Sequence, residues 1–210
     1  MEATNLFNQW VDLGKDNGMA LNHEPSVEFM LNLIPSDIFN KNFSFIDIGC
    51  GNGWVVKKVN EYKNCAFALG IDGAEKMIKK ARSNDPKSQY LKIDINNIKS
   101  NEFNLDLDVR SFDIVFSMEV LYYLQSPETT LKHIRSHILK EGGYCVIGID
   151  HYLENTASLS WEKDLNVSMH THSISEWENM FKEAGFHNIK KHQFGKKKNW
   201  EGTLIFCAGH

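Results

Sequence analysis

The chain has 210 residues, 42% of them hydrophobic and 24% charged, with a formal charge of −4. This is the balance of a globular domain that buries one sizeable core. No apolar run approaches the ~18 residues of a membrane helix, the first residues lack a secretory leader pattern, and the net charge offers no general attraction to nucleic-acid phosphates. The expectation is one cytoplasmic domain over residues 1–210, with no membrane and no nucleic-acid partner.

Residues 1–42 read as an N-terminal helical cap. From Pro25 onward Val27, Met30, Leu31 and Ile34 recur at i, i+3, i+4, i+7, which predicts an amphipathic helix ending near Pro35-Ser36. Residues 43–48 read as a strand, and Trp54, Val55, Val59 and Tyr62 as a helix that starts at a run of glycines. Residues 66–71 are a second strand, followed by a helix with Met77, Ile78 and Ala81 on one face. Residues 89–93 and 112–117 are the third and fourth strands. Ser126-Pro127 supplies an N-cap with proline at the first helical position, and Gly142-Gly143 is expected to end that helix before a fifth strand at 144–149. Ser173 and Glu176 have capping-box spacing for a helix closed by Gly185. The runs near 187–194 and 203–208 have no room for a crossover between them, so they should pair antiparallel.

Strands alternating with helices predict an α/β fold, a doubly wound and mostly parallel sheet with helices on both faces and an antiparallel hairpin at one edge. Cys50, Cys65, Cys145 and Cys207 lie far apart with no C-x-x-C pair, which reads as small buried hydrophobes rather than a metal site. The basic cluster at Lys190, Lys191, His192 and Lys196-Lys197-Lys198 reads as a solvated turn.

The stretch Phe45-Ile46-Asp47-Ile48-Gly49-Cys50-Gly51-Asn52-Gly53 joins the first strand to the first helix, the nucleotide position of doubly wound folds. A dinucleotide fingerprint would place a third glycine where Trp54 stands. Asp47, two residues before the glycines, would repel a pyrophosphate and favour a cation. Asp72, ending the second strand, suits bidentate hydrogen bonding to a ribose diol. A ligand with ribose, positive charge and no phosphate fits, and S-adenosylmethionine has all three features.

Residues 43–209 resemble the class I (Rossmann-like) S-adenosylmethionine-dependent methyltransferases, in the small-molecule, type 11/12-like branch. Five motifs stand in the family's order: "FIDIGCGNG", "GIDGAEKMI" (70–78), "KIDINNI" (92–98), "FDIVFSMEVLYYL" (112–124) and "LKEGGYCVIGI" (139–149). The resemblance implies seven strands in the order 3-2-1-4-5-7-6 with strand 7 antiparallel, residues 43–149 forming the ligand-binding core. It implies that Gly49, Cys50 and Gly51 line the methionine part and that Asp47 orients its amino end. Asp72 would take the ribose beside Gly73, Asp94 the adenine amine with Ile95 on the ring, and Ser117, Met118 and Glu119 the sulfonium region. S-adenosylhomocysteine would be the product.

Methyl transfer from a sulfonium is an in-line SN2 displacement that needs alignment and desolvation more than a particular side chain. The family's nucleic-acid branch carries a Pro-Pro-Tyr-like turn after the fourth strand, whereas Ser117-Met118-Glu119 resembles the small-molecule branch. Residues 150–210 would form a substrate wall and a helix-hairpin, with Tyr122, Tyr123, His151, Tyr152, Trp161, Met169 and His172 facing a small-molecule acceptor. Trp10 to His23, with Gly14, Gly18 and Met19, would be a lid. His151 is the first candidate for a general base, followed by Tyr122 and His170. His170-x-His172 with Asp150 lacks a third ligand fixed by spacing, so no metal is expected. An RNA or protein methyltransferase and a non-catalytic or partner-activating subunit stand as alternatives, and a monomer or homodimer is expected.

Overall fold

In the computed structural model, which describes residues 1–97 and 112–210, the apolar runs become the strands of one sheet. They are β1 (Phe43–Ile48), β2 (Cys65–Asp72), β3 (Gln89–Lys92), β4 (Phe112–Met118), β5 (Leu139–Ile149), β6 (His187–Phe194) and β7 (Thr203–Gly209). Their order is β3-β2-β1-β4-β5-β7-β6, with β7 antiparallel to both neighbours and the remaining pairs parallel. The expected topology is therefore observed. Ile98, the last residue of the 92–98 motif, lies outside the described residues.

The helices are α1 (Ala3–Asp12), α2 (Lys15–Asn32), the single turn α3 (Ser36–Phe39), α4 (Trp54–Asn60), α5 (Glu75–Asn84), α6 (Pro127–His133), α7 (Trp161–Leu165) and α8 (Ile174–Glu183). Alternation along the strands sorts the core into two layers. Phe43 and Phe45 meet Val27 and Met30 of α2, Val55 and Val59 of α4, and Ile78 of α5 on one face. Ile46 and Ile48 meet the layer of Leu131 from α6 and Trp177 and Phe181 from α8 on the other. Phe181 stacks on Phe206 of β7 at 4.8 Å, and both are fully buried. Burial of such side chains contributes about 1.5–3 kcal/mol each and holds the antiparallel hairpin on the sheet. The Ser173–Glu176 capping box forms as expected.

Two boundaries differ from the sequence reading. Pro25 lies inside α2 rather than at its start. A proline there removes the bond to the Leu21 carbonyl, but Leu21 is 72% exposed, so water can serve that carbonyl. The Gly142-Gly143 pair does not end a helix. A wide turn over Ile134–Ile138 ends it, and β5 begins at Leu139, fully buried and paired with Phe112. The register then shifts from Phe112↔Leu139 to Ile114↔Tyr144, so the glycines form a bulge.

All four cysteines are free thiols, and Cys50, Cys145 and Cys207 are buried. In the basic cluster Lys191 pairs with Glu178 and Lys196 with Glu201. No helix among the described residues is long and apolar enough to cross a membrane.

Candidate functional site

At the carboxyl ends of β1, β2 and β4 the structure holds a cavity of ≈ 420 Å³. Asp47 points toward it because it shares its strand face with Phe43 and Phe45, at the point where that layer ends. The side chain is 3% exposed, and burial, with the nearby Asp72 charge second, pushes its acid up to about 8. A cation arriving beside it would find a carboxyl group ready to ionise.

The glycine loop is braced before any ligand arrives. Gly49 and Cys50 donate to the Ile71 carbonyl at 2.8 and 3.0 Å. Asp72 accepts from the Gly51 amide at 2.9 Å and from the Ala74 amide at 2.7 Å, tying the loop to the start of α5. Burial raises the Asp72 acid, and these two donations pull it back. Gly51 has φ +52, and a Cβ there would meet nothing within 4 Å, so its backbone is bare toward the cavity. At Gly53, with φ +82, a Cβ would lie 2.6 Å from Tyr90 and 2.8 Å from Ala81. Gly53 is thus the glycine that lets the loop pack closely, while Trp54 turns its indole to the cavity wall.

Asp47, Gly49, Cys50, Gly51, Asp72, Gly73, Asp94, Ile95, Met118 and Glu119 all line this cavity. Asp94 uses its carboxylate on its own turn, accepting from the Asn96 amide at 3.0 Å and the Asn97 side chain at 2.9 Å. Ser117 is the exception among the residues expected on this side. It is fully buried beneath the floor, donating to the Ile48 carbonyl at 2.7 Å and bracing β4 against β1.

The other half of the cavity departs further from expectation. Glu119 adopts φ +62, a conformation that strains a side-chain-bearing residue by about 1–3 kcal/mol. Three bonds hold it. Its amide donates to Gly148, and its carboxylate accepts from Tyr122 Oη at 2.7 Å and the Asp150 amide at 2.5 Å. Burial raises the Glu119 acid well above the carboxylate range. Tyr122, Tyr123 and Trp161 also line the wall.

His151 does not. It is fully buried, its Nδ1 donates to the Ser158 carbonyl at 3.0 Å, and its Nε2 takes the Thr171 hydroxyl at 2.7 Å. Burial lowers its basicity, so a neutral imidazole with Nδ1 protonated suits both partners. It is a packed core histidine with no nitrogen left for an acceptor. Tyr152 is likewise buried and donates to Gly202, and Met169 sits in the core. His170 is exposed and stacks on His172 at 5.6 Å, and His172 packs edge-on to Trp177. None of these five is among the cavity-lining residues.

Sequence reading takes Trp10 to His23 as a lid but assigns no contact to Asp16 or His23 and leaves out Phe7. Asp16, Met19, Ala20 and His23 of α2 line the cavity at i, i+3, i+4, i+7, and Phe7 and Trp10 of α1 join them. The stripe has helical spacing in the sequence, and Pro25, which reads as a helix start, hides its continuity with Val27 and Met30. Asp16 anchors the cover, bonding Asn52 of the glycine loop at 3.0 Å and Lys80 of α5 at 2.6 Å. His23 lies 3.9 Å from Asp150, and with Glu119 these three bring ligand-type atoms within 4.8 Å of one another. The His170–His172 pair is not part of that cluster.

The family described as "Methyltransferase domain" matches residues 39–200. Malonyl-[acyl-carrier protein] O-methyltransferase of Brevibacillus brevis is 23% identical over 84% of this chain and 66% of its own. A tRNA U34 carboxymethyltransferase of Aliivibrio fischeri is 30% identical over 52% of this chain and 33% of its own. The chain thus spans less than two thirds of either curated relative. Among solved structures, the complex between the Haloferax volcanii Trm112 methyltransferase activator and a methyltransferase includes a chain with TM-score 0.82 and 26% identity. That likeness covers 97% of this chain and 98% of the other.

Proposed function

The chain belongs to the class I S-adenosylmethionine-dependent methyltransferase family, and on that premise we propose that it methylates a small molecule inside the cavity described above. S-adenosylmethionine supplies a methyl group already activated on a sulfonium. Its positive charge, ribose and lack of phosphate suit a wall that offers Asp47, Asp72 and a bare Gly51. Asp72 would hold the ribose hydroxyls with lone pairs left over from its two backbone bonds. Asp47 would hold the amino end, and Asp94 with Ile95 the adenine.

The observation that carries the small-molecule reading is the cover. The α2 stripe and the Phe7–Trp10 face of α1 lie over the glycine loop, and Asp16 bolts them to Asn52 and Lys80. A volume of ≈ 420 Å³ beneath that cover falls in the range of small-ligand pockets. The cover acts as a lid that excludes water from the reacting atoms. None of the lysines at 190–191 and 196–198 lines the cavity, which weighs against RNA as acceptor.

Calorimetry should show S-adenosylhomocysteine binding, and radiolabelled methyl groups should appear in a small-metabolite fraction rather than in tRNA, acyl-carrier protein or bulk protein. Label confined to tRNA or protein would sink the small-molecule reading and leave the family assignment standing.

The extended likeness to the H. volcanii chain, solved with an activator, supports a second reading in which a small activator protein assists this chain. Methyl transfer and S-adenosylhomocysteine affinity unchanged by an added Trm112-type protein would count against it.

A further inference from the structure

The charge of the cavity is one-sided. Asp16, Asp47, Asp72, Asp94, Glu119 and Asp164 line it, and none of the described lining residues is lysine or arginine. Three of these acids serve the donor side as proposed above, and Asp16 is neutralised by Lys80. On the acceptor side stand Glu119 and, directly behind it at the end of β5, Asp150. One Asp150 oxygen, Oδ2, lies 3.9 Å from His23 Nε2; the other, Oδ1, is buried with no hydrogen bond of its own, and the Thr203 hydroxyl is a side-chain donor to this carboxylate. The residue is only 6% exposed. An orphaned carboxylate oxygen at such depth is unfavourable unless something donates to it. The same cavity is lined by Phe7, Trp10, Tyr122, Tyr123 and Trp161, and Tyr122 bonds Glu119 directly. Electron-rich rings in a cavity that also holds acidic side chains suit a desolvated cation.

Resting on the small-molecule reading, we propose that the acceptor is an amine whose ammonium group seats between Asp150, Glu119 and His23. An ammonium has three N–H donors, which suits two carboxylates and one imidazole nitrogen, and its arriving charge favours the ionised form of Glu119, whose acid burial otherwise raises. The ammonium nitrogen holds no lone pair, so it must release one proton before it can act as a nucleophile. His23 Nε2 takes that proton, leaving a neutral amine and an imidazolium beside the Asp150 carboxylate. Burial lowers the basicity of free His23 and leaves it neutral, and the Asp150 carboxylate at 3.9 Å favours the imidazolium once the proton arrives. Asp150 is a positioning residue in this scheme, holding both the ammonium and the imidazolium. An acceptor bearing carboxylates or phosphates would meet acids on every side of this half and is disfavoured.

The test uses the full chain saturated with S-adenosylhomocysteine and two probes of nearly equal shape, benzylamine and benzyl alcohol, compared by calorimetry at neutral pH. Benzylamine should bind about tenfold or more tightly than the alcohol, and Asp150→Asn should erase that preference while S-adenosylhomocysteine affinity stays unchanged. Equal binding of the two probes, or a preference that survives in Asp150→Asn, overturns the proposal. If Asp150→Asn loses S-adenosylhomocysteine binding through misfolding, His23→Gln on the cavity wall carries the comparison. Its amine affinity should fall with the alcohol unaffected, and an unchanged amine affinity overturns the proposal. Failure of the wild-type chain to bind S-adenosylhomocysteine is a separate result, and it rejects the parent reading instead.

Discussion

The two halves of the cavity are built in different ways. The half proposed for the donor is made of strand ends and the turns that follow them: Asp47 and the glycine loop after β1, Asp72 and Gly73 after β2, Asp94 and Ile95 after β3. Its side chains are braced by backbone a few residues away or by the neighbouring strand, as in the Ile71–Gly49 and Asp72–Gly51 bonds. The rest of the cavity, its cover and the half proposed for the acceptor, is a convergence of distant segments: α1, α2, residues 119–124 and the α7 region, with Asp150 behind Glu119. A half assembled from neighbouring turns keeps its chemistry in short motifs. A half assembled by convergence can take any residue that the packing delivers, so motif position says little about it.

The sharpest way to break this comparison is at Asp72. Replacing it with alanine removes the acceptor of the Gly51 and Ala74 amides together with the proposed ribose contact, and hydrogen bonds to charged groups are worth about 1.5–3 kcal/mol each. S-adenosylhomocysteine affinity should fall about 100-fold or more by calorimetry, with the fold intact by circular dichroism. An affinity within a few-fold of wild type would show that the donor half does not depend on its braces.

His151→Ala tests the acceptor half from the opposite direction. It removes two buried hydrogen bonds and leaves a void, so thermal or denaturant unfolding should report a loss of about 2–3 kcal/mol. S-adenosylhomocysteine affinity should not change. Native stability combined with lost methyl transfer would return His151 to the chemistry.

The smallest effect is a pH dependence at Asp47. In the free folded chain its acid holds a proton up to about pH 8, whereas an unfolded carboxyl releases it in the ordinary carboxylate range. The folded state therefore binds more protons between those limits, and Asp47 makes the free chain less stable as pH rises through that window. A cationic ligand favours the ionised carboxylate and pulls its pKa down. Binding then releases a proton, so affinity should rise from pH 6 to about 8 and level off above, by about tenfold in all. Asp47→Asn should flatten that slope. An unchanged slope in the variant would assign the pH dependence to another group.

By itself the sequence determined the sheet, its antiparallel edge and the turns at the ends of β1, β2 and β3 that line one half of the cavity. Short continuous apolar runs, capping spacing at Ser173 and Glu176, and glycines at the β1–α4 turn are local signals, and each acts within a few residues of where it is written. Even there Ser117 escaped, because adjacent positions on a strand point to opposite sides and its hydroxyl faces Ile48 rather than the cavity. Only the tertiary structure decided the acceptor half. It turned His151 into the core between Ser158 and Thr171, and it brought His23 against Asp150 across more than half of the chain. The stripe Asp16, Met19, Ala20, His23 was written in the sequence with helical period. Which surface it covers depends on how α2 packs, and that is settled by the buried Val27 and Met30 further along the same helix.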